Sequence, residues 1–456
     1  MEKEVEESMR ICYVAFQFWP SIGGSQTQAE RQARSLRQSG QDVLVVTLRH
    51  QKSWPAREVC STVPVVRVGG YYRRGRLCVG RFGHLLVDVL VFLTLWRLRR
   101  NYDLIHILQL SPLAMVATLI GKLVHKPVIV GIQSTGLFEQ PSALAPQEMK
   151  RRIEAGEVMI SDRGTQAQAG GDIAGLQQTT WGGQWMLNYL RNSNAYYQIL
   201  SSRSYLYLMQ YGFRPERIVY IPNGVDTQQF YPFAWAWPER MAQREERLLL
   251  CVARLEYAKG VDVLLQAWAQ MLTLPPAWRQ YIRPRLWLVG DGACRLELEQ
   301  MAISLGIQES VTFLGTRYDI AHLMQDAWGF VLPSRWEGMP NALLEAMACA
   351  LPCLATRVSG SEDVIEQGNN GLLVEPEQPQ QMAYALRLLL EDEQMARQLS
   401  WQGYETVSRY YQLGSTTQNS LAFYRYLLAR DAPRRSTPGL LASDNLSPEE
   451  WQQRFE

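Results

Sequence analysis

The sequence predicts an α/β protein built from two Rossmann-like parallel-sheet domains, and three observations predict it. Its 456 residues exceed what a single ordinary hydrophobic core accommodates. Short β-branched or aromatic runs alternate with amphipathic helical patterns along the first half, the signature of βαβ units. The alternation stops between Phe230 and Glu246, where Pro232 and Pro238 punctuate an aromatic and charged stretch that keeps neither period, and then it restarts.

In the first domain, placed at residues 9–230, the spacing predicts strands at Ile11–Phe18, Asp42–Thr47, Val63–Val68, Leu104–Ile107, Val128–Ile132, Ala195–Leu200 and Ile218–Ile221. Helices are expected at Thr27–Gln38, Leu85–Arg99 and Leu113–Val124. The second domain, 231–416, is expected to carry strands at Leu248–Val252, Leu286–Val289, Val311–Leu314, Gly329–Leu332, Pro352–Ala355 and Gly371–Val374. Its helices are Val261–Met271, Leu296–Leu305, one through Met324, and Ala342–Ala350. Three helical patterns, Pro379–Leu390, Met395–Tyr410 and Thr417–Ala429, precede a Pro- and Ser-containing tail, 431–456, that is expected to be flexible.

Composition narrows the class. The chain is 47% hydrophobic and 20% charged with a net charge of +2, which fits a globular enzyme and gives no case for nucleic-acid binding. Seven cysteines without metal-ligand spacing read as reduced, buried thiols. The acidic start MEKEVEESMR is the opposite of a secretory signal, so a cytoplasmic location is expected. The apolar stretches Leu85–Trp96 and Pro112–Val124 fall short of the roughly 18 to 20 residues needed to span a bilayer and read as buried helices. Eight arginines stand between Arg67 and Arg100 against one acidic residue, Asp88. A solvated face and an electrostatic dock on an anionic membrane surface are both open readings. Residues Arg163–Trp185, rich in Gly, Gln and Thr, suit either a mobile loop over a cleft or an insertion without function.

In open parallel sheets, ligands sit beyond the carboxyl ends of the strands, and four places there hold candidate chemistry. After the first strand, Gly23 and Gly24 lead into a helix whose start would favour phosphate; a tight turn without a ligand is the alternative. After Leu248–Val252, Arg254 and Lys259 could neutralise a diphosphate and the charge building on it as it leaves. Gly290-Asp291-Gly292 begins like a dinucleotide fingerprint but lacks the third glycine. The fourth is Pro333-Ser334-Arg335-Trp336-Glu337-Gly338-Met339-Pro340-Asn341-Ala342-Leu343-Leu344-Glu345-Ala346. Pro340 fits the first position of a helix, which sets the loop Glu337–Met339 at the helix's positive end. Glu345, among Leu343, Leu344, Ala346 and Met347, could accept two ribose hydroxyls.

With its glutamates Glu337 and Glu345 in this order after the GG loop, the IPNGVD segment Ile221–Asp226, Arg254/Lys259 and the GDG turn, the chain resembles glycosyltransferase family 4 over roughly Ile11 to Ala429. That family comprises retaining enzymes of GT-B architecture, so the resemblance implies two domains facing across a deep cleft. It implies an acceptor-binding first domain, a donor-binding second domain, and a last helix, 417–429, crossing back onto the first. Arg254 and Lys259 would hold the pyrophosphate, Glu345 the ribose, and Glu337 with Gly338, Met339, Pro340 and Asn341 the transferred sugar. Gly24 and Gly290 would lie near the donor. The donor would be UDP-, GDP- or ADP-linked and the acceptor a carbohydrate or lipid-linked hydroxyl in polysaccharide, lipopolysaccharide or glycolipid assembly.

One departure stands out: many relatives carry a His-Gly pair after the strand equivalent to Val128–Ile132, and this chain reads Gln133-Ser134-Thr135-Gly136. Thr135 can hydrogen-bond a sugar but cannot carry a proton near neutral pH. Gly23, His106 and Thr135 are the remaining candidate sugar or acceptor contacts, with a structural role for His106 as the other reading. No metal or cofactor is expected, because no Asp-x-Asp motif ends a strand and Arg254 and Lys259 supply the cationic charge. Other readings remain: an inverting transferase, a sugar-phosphate synthase, a silent nucleotide-binding partner subunit, or an NAD-dependent oxidoreductase, the last weakened by the incomplete glycine fingerprints.

Overall fold

The computed structural model describes residues 8–20, 23–74, 76–77, 81–136, 171–173, 176, 182–232, 245–274 and 282–431. The expectations for residues 163–170, for most of 174–181 and for the tail 432–456 fall outside the described residues. The chain divides into two compact units, Met1–Ile22 with Ala29–Ile221 and Thr417–Glu456, and Gly23–Gln28 with Pro222–Thr416.

The first unit is built on β1 (Arg10–Ala15), α1 (Gly24–Gln38, from Ala29 onward), β2 (Asp42–Leu48), β3 (Arg57–Cys60), β4 (Val63–Val68), the short hairpin β5 (Tyr72–Arg73) and β6 (Arg76–Leu77), and α2 (Arg81–Arg97). It continues through β7 (Leu104–Ile107), α3 (Pro112–Val124), β8 (Val128–Ile132), α4 (Gly183–Arg191), β9 (Tyr196–Ile199), α5 (Ser202–Gln210) and β10 (Ile218–Tyr220). The strand order is β10-β9-β8-β7-β1-β2-β4-β3. All neighbours pair in parallel except β3, which closes the edge antiparallel to β4. β3 and the β5–β6 hairpin escape sequence reading because they are short and too polar to show an apolar run. Pro112 occupies the first turn of α3, where its missing N–H costs nothing. The strands β7 and β8 are buried throughout, and β1 is buried from Ile11 onward, as a parallel sheet covered on both sides requires.

The two apolar stretches expected to be buried helices do form α2 and α3, but α2 is not buried on every side. Val87, Val91 and Leu95, spaced by four, turn inward, whereas Leu85, Leu86, Val89, Leu93 and Trp96 are exposed. The last helix, Leu413–Asp431, starts four residues earlier than the pattern at 417–429 predicts; from Thr417 it belongs to the first unit. There Leu421, Tyr424 and Leu427 pack against Tyr13, Ala33 and Leu36 in one core cluster.

The second unit contains β11 (Glu246–Val252), α6 (Val261–Thr273), β12 (Arg283–Val289), α7 (Arg295–Ser304), β13 (Val311–Gly315), α8 (Ile320–Asp326), β14 (Gly329–Leu332), α9 (Asn341–Ala348), β15 (Cys353–Thr356), α10 (Ser361–Val364), β16 (Leu372–Val374), α11 (Pro379–Glu391) and α12 (Glu393–Tyr410). Its six strands run in the order β13-β12-β11-β14-β15-β16 and all pair in parallel. Trp268 of α6 is fully buried among Leu264, Leu286, Leu386 and Leu389, and its indole N–H donates to Ser310 Oγ at 3.0 Å, so the polar tip of the largest core side chain is satisfied.

Candidate functional site

In the second sheet the chain leaves β11 for β12 and β13 on one side, then returns to lay β14 on the other. The carboxyl ends of β11 and β14 therefore flank the topological switch point, where open α/β sheets bind ligands. Two loops meet there, 253–260 and 333–340. The backbone N–H of Arg335 donates to Ala258 O at 2.8 Å. Gly260, with φ +60, comes so near that a Cβ would stand 2.1 Å from Pro333 O; only glycine permits both the left-handed backbone and the approach.

This approach brings Lys259 and Glu337 together: Nζ lies 2.6 Å from Glu337 Oε1, with side chains 18% and 9% exposed. Ser334 Oγ donates to the same carboxylate oxygen at 2.6 Å. A strut beneath holds the pair. Arg335 reaches both oxygens of Asp262 at 2.8 and 2.7 Å, donates to Tyr257 O at 2.7 Å, and pairs with Glu377. Its guanidinium also lies 3.9 Å from the Tyr257 ring centroid. Burial by itself lowers the Arg335 pKa, but hydrogen bonds to Asp262 and Glu377 outweigh it and hold the group above its ordinary range. Because Tyr257 and Asp262 bracket Lys259 in sequence, this fork fixes the turn that carries the lysine.

The other predicted residues of this unit distribute around that pair. Arg254 is exposed and pairs with Glu256 at 2.8 Å instead of joining Lys259. Gly290 follows β12, its N–H donating to Gly315 O at 2.9 Å. Gly338, Met339 and Pro340 are buried. Pro340, expected at the first helical position, is instead the N-cap of α9, which begins at Asn341. Lacking an N–H, it has no backbone donor to offer a sugar. Asn341 Nδ2 donates to Gly24 O at 2.9 Å, and Asn341 Oδ1 accepts from Asn223 at 2.8 Å. Gly23 O accepts from Thr27 N at 2.9 Å. Glu345 is 8% exposed at the fifth position of α9. Among the described residues, no group of three or more His, Cys, Asp or Glu could hold a metal ion.

In the first unit, the carboxyl ends of β7 and β8 carry a second polar cluster. Asp172 accepts from Gln133 N at 2.6 Å and from Gln109 Nε2 at 3.3 Å, and its own N–H donates to Ser134 O at 2.9 Å. Burial pushes its carboxyl up to about 7, with the Gln133 N–H and Gln109 opposing. Gly171 allows the approach, since a Cβ there would lie 2.6 Å from the Thr135 carbonyl. Thr135 is 3% exposed, and its hydroxyl has no hydrogen-bond partner among the described residues.

His106 does not join this cluster. It is 2% exposed, its Nδ1 lies 2.6 Å from Tyr424 OH, and Tyr13 and Tyr424 flank its ring edge-on. Burial lowers its pKa to about 3, so the ring is held neutral, and its place against Tyr13 and Tyr424 favours the structural reading over a sugar contact. Sequence reading assigned no role to Ser334, Arg335, Asp262, Gln109 or Asp172. Only the GG dipeptide before Asp172 offers a signal, because it resembles the backbone approach already read at Gly23-Gly24.

Two family models match the chain: "Glycosyl transferase 4-like domain" over residues 23–224 and "Glycosyl transferases group 1" over residues 235–406. An N-acetyl-alpha-D-glucosaminyl L-malate synthase of Bacillus anthracis is 33% identical over 36% of this chain and 41% of its own length. A D-inositol 3-phosphate glycosyltransferase of Geodermatophilus obscurus is 34% identical over 40% of this chain and 42% of its own length. The chain thus aligns with less than half the length of these curated relatives. Among solved structures, sucrose-phosphate synthase from Thermosynechococcus elongatus superposes with a TM-score of 0.69 at 20% identity, covering 92% of this chain and all of that one. HepE of Anabaena, solved in complex with UDP-glucose, superposes at 0.66 with 19% identity, again covering 92% of this chain and all of that one.

Proposed function

The chain belongs to the family 4 type of glycosyltransferases with the GT-B fold, and from that premise we propose that it transfers a sugar from a nucleoside diphosphate sugar to a hydroxyl acceptor with retention of configuration. The observation that carries this reading is the Lys259–Glu337 pair at the switch point of the second sheet, with Glu345 buried on α9, the helix that follows the Glu337 loop. A leaving diphosphate gathers negative charge as the glycosidic bond breaks, and Lys259 supplies a cation in a water-poor site where such charge is best stabilised. Arg254, more exposed, would add to it once turned from Glu256. Glu337 would address the transferred sugar while Gly338, Met339 and Asn341 line it. Glu345 would take the ribose hydroxyls. The departing phosphate can accept the acceptor's proton, so Thr135 in place of a histidine does not remove a needed base.

Residues 231–416 would hold the donor, with Gly24 and Gly290 beside it. Residues 9–230 would hold a carbohydrate or lipid-linked acceptor, with Gly23 and Thr135 among its contacts. Polysaccharide, lipopolysaccharide or glycolipid assembly is the pathway class that fits, at the cytoplasmic face of a membrane met by the basic 67–100 region. Because HepE was solved with UDP-glucose, UDP heads the donor candidates, followed by GDP and ADP.

The test is a thermal-shift panel of UDP, GDP, ADP and NAD on the wild type and on Glu345→Ala. At a hundredfold excess over its dissociation constant, a bound nucleotide adds about 2.7 kcal/mol to stability. Stabilisation of the wild type alone by one nucleoside diphosphate is the expected result. Stabilisation by NAD alone, or by no nucleotide, overturns the reading.

A further inference from the structure

Helix α2 is apolar on two opposite faces. Val87, Val91 and Leu95 point into the first unit's core, and two residues correspond to about 200° of helical rotation. The facing row Leu85, Val89 and Leu93, extended by Trp96, therefore stands outward, and these four side chains are 65%, 48%, 41% and 40% exposed. A surface helix ordinarily turns polar residues outward. The packing of α3 on α2 adds neighbouring apolar positions, Leu119 and Leu123, which are 40% and 50% exposed.

Charge around this face is one-sided. Arg97 and Arg100 are exposed at the end of α2, and Lys122 is exposed on α3. Arg99 lies 4.8 Å from the Trp96 ring centroid. The one acidic residue of α2, Asp88, is half-buried, and burial raises its carboxyl to about 6. Beside the apolar row, a cavity of about 490 Å³ has Leu86, Leu90 and Leu93 along one wall and Arg67 and Arg97 among its polar lining. Arg67, whose Nε has no hydrogen-bond partner among the described residues, is itself buried against Glu58 and Trp19 O, so Arg97 is the exposed cation of this lining. An apolar row that ends in cations and adjoins a groove of the same make-up complements acyl chains beneath anionic headgroups.

We propose that α2 lies in the headgroup layer of an anionic phospholipid bilayer, with Leu85, Val89, Leu93 and Trp96 inserted and Arg97, Arg99 and Arg100 on the lipid phosphates. This rests on the reading that the 67–100 region meets a membrane and deepens it by naming an inserted face where charge alone was expected. No helix among the described residues is long and apolar enough to span a bilayer, so α2 lies along the surface. Trp96 sits where an interfacial aromatic belongs.

The experiment is co-sedimentation of the full chain with vesicles of phosphatidylcholine alone or mixed with phosphatidylglycerol, at low and at physiological salt. The variants are Leu85→Glu/Leu93→Glu, and Arg97→Gln/Arg99→Gln/Arg100→Gln. Partition of the wild type onto anionic vesicles, retained in part at physiological salt, is expected. The double Glu variant should lose it by about tenfold or more, with an unchanged melting temperature and unchanged UDP shift. If the Glu variant binds like the wild type while the Gln variant does not, the surface docks by charge alone and the inserted face is wrong. Failure of the wild type to bind any vesicle removes both the membrane reading and the inserted face. A wild-type dimer by light scattering that Leu93→Glu dissociates would assign the face to a second copy and overturn the proposal. The UDP shift reports separately on the transferase reading.

Discussion

Lys259 and Glu337 lie 78 residues apart in the chain, yet Nζ and Oε1 are 2.6 Å apart, because each follows one of the two neighbouring strands, β11 and β14, at which the second sheet reverses its order. Neither charge is isolated. Ser334 shares the carboxylate oxygen, and the lysine's turn is held by the Arg335 fork. The pair is thus held by the protein's own contacts, as electrostatic preorganisation requires.

If Lys259 and Glu337 act as a unit, their removal should not be additive. Glu337→Gln, which keeps the shape, and Lys259→Met should each lower kcat for sugar transfer by roughly 100-fold or more. The double variant should fall little below the worse single one. Steady-state rates for the four proteins check this, and a double variant equal to the product of the two singles would separate their roles.

Arg335→Lys keeps a positive charge but cannot make the two-pronged contact with Asp262 and the bond to Tyr257 O at once. The turn at 257–260 should loosen and Lys259 with it. A tenfold or greater loss of kcat/KM, on the order of what one lost oriented charge contact costs, is expected, together with a lowered melting temperature. Asp262→Asn should show the same two changes in weaker form. An Arg335→Lys protein with a lowered melting temperature but unaltered kcat/KM would make the fork structural only.

How much of this was legible in the sequence depends on what each residue's neighbours say. Lys259 and Glu337 could be found because the apolar runs Leu248–Val252 and Gly329–Leu332 mark where strands end, and ligand residues follow strand ends. The six strands of the second sheet were legible for the same reason: parallel strands buried over most of their length read as apolar runs, as in Leu248–Cys251 and Gly329–Leu332. Asp172 was hidden inside a Gly- and Gln-rich stretch read as one loop, and its burial comes from tertiary packing against Gln133 and Gln109, which no local pattern encodes. Helix α2 was misjudged because an apolar residue reads alike whether it faces a core or the outside; only the fold separates Val87 from Leu85. His106 follows the opposite rule: it sits in a strand near its carboxyl end, as a site residue would, but the last helix brings Tyr424 onto its ring.

Gly260 should not tolerate a side chain. With φ +60 and Pro333 O 2.1 Å from where a Cβ would stand, Gly260→Ala carries both backbone strain and a clash with backbone. Strain of this kind costs on the order of 1–3 kcal/mol. Lowered stability and loss of the nucleotide-induced thermal shift are expected together, because the two loops of the switch point would part. Retention of the full shift would show that nucleotide binding does not depend on the approach of these loops.

Asp172 predicts a pH dependence with a defined sign. Its carboxyl is raised from an ordinary 3.8 to about 7 by burial, so between those values the folded chain holds a proton that the unfolded chain has released. Stability follows the difference in bound protons, and this group's contribution therefore falls as the pH rises from about 4 to about 7 and is constant outside that window. Asp88, raised to about 6 by burial, adds a slope of the same sign, so the informative quantity is the difference between the wild type and Asp172→Asn. Asparagine cannot titrate but its oxygen can still accept from Gln133 N, and the variant should lose less stability than the wild type when melting temperatures are compared at pH 5 and pH 7.5. Equal losses in the two proteins would mean that Asp172 is ionised across the whole range and that its bonds to Gln133 and Gln109 outweigh its burial.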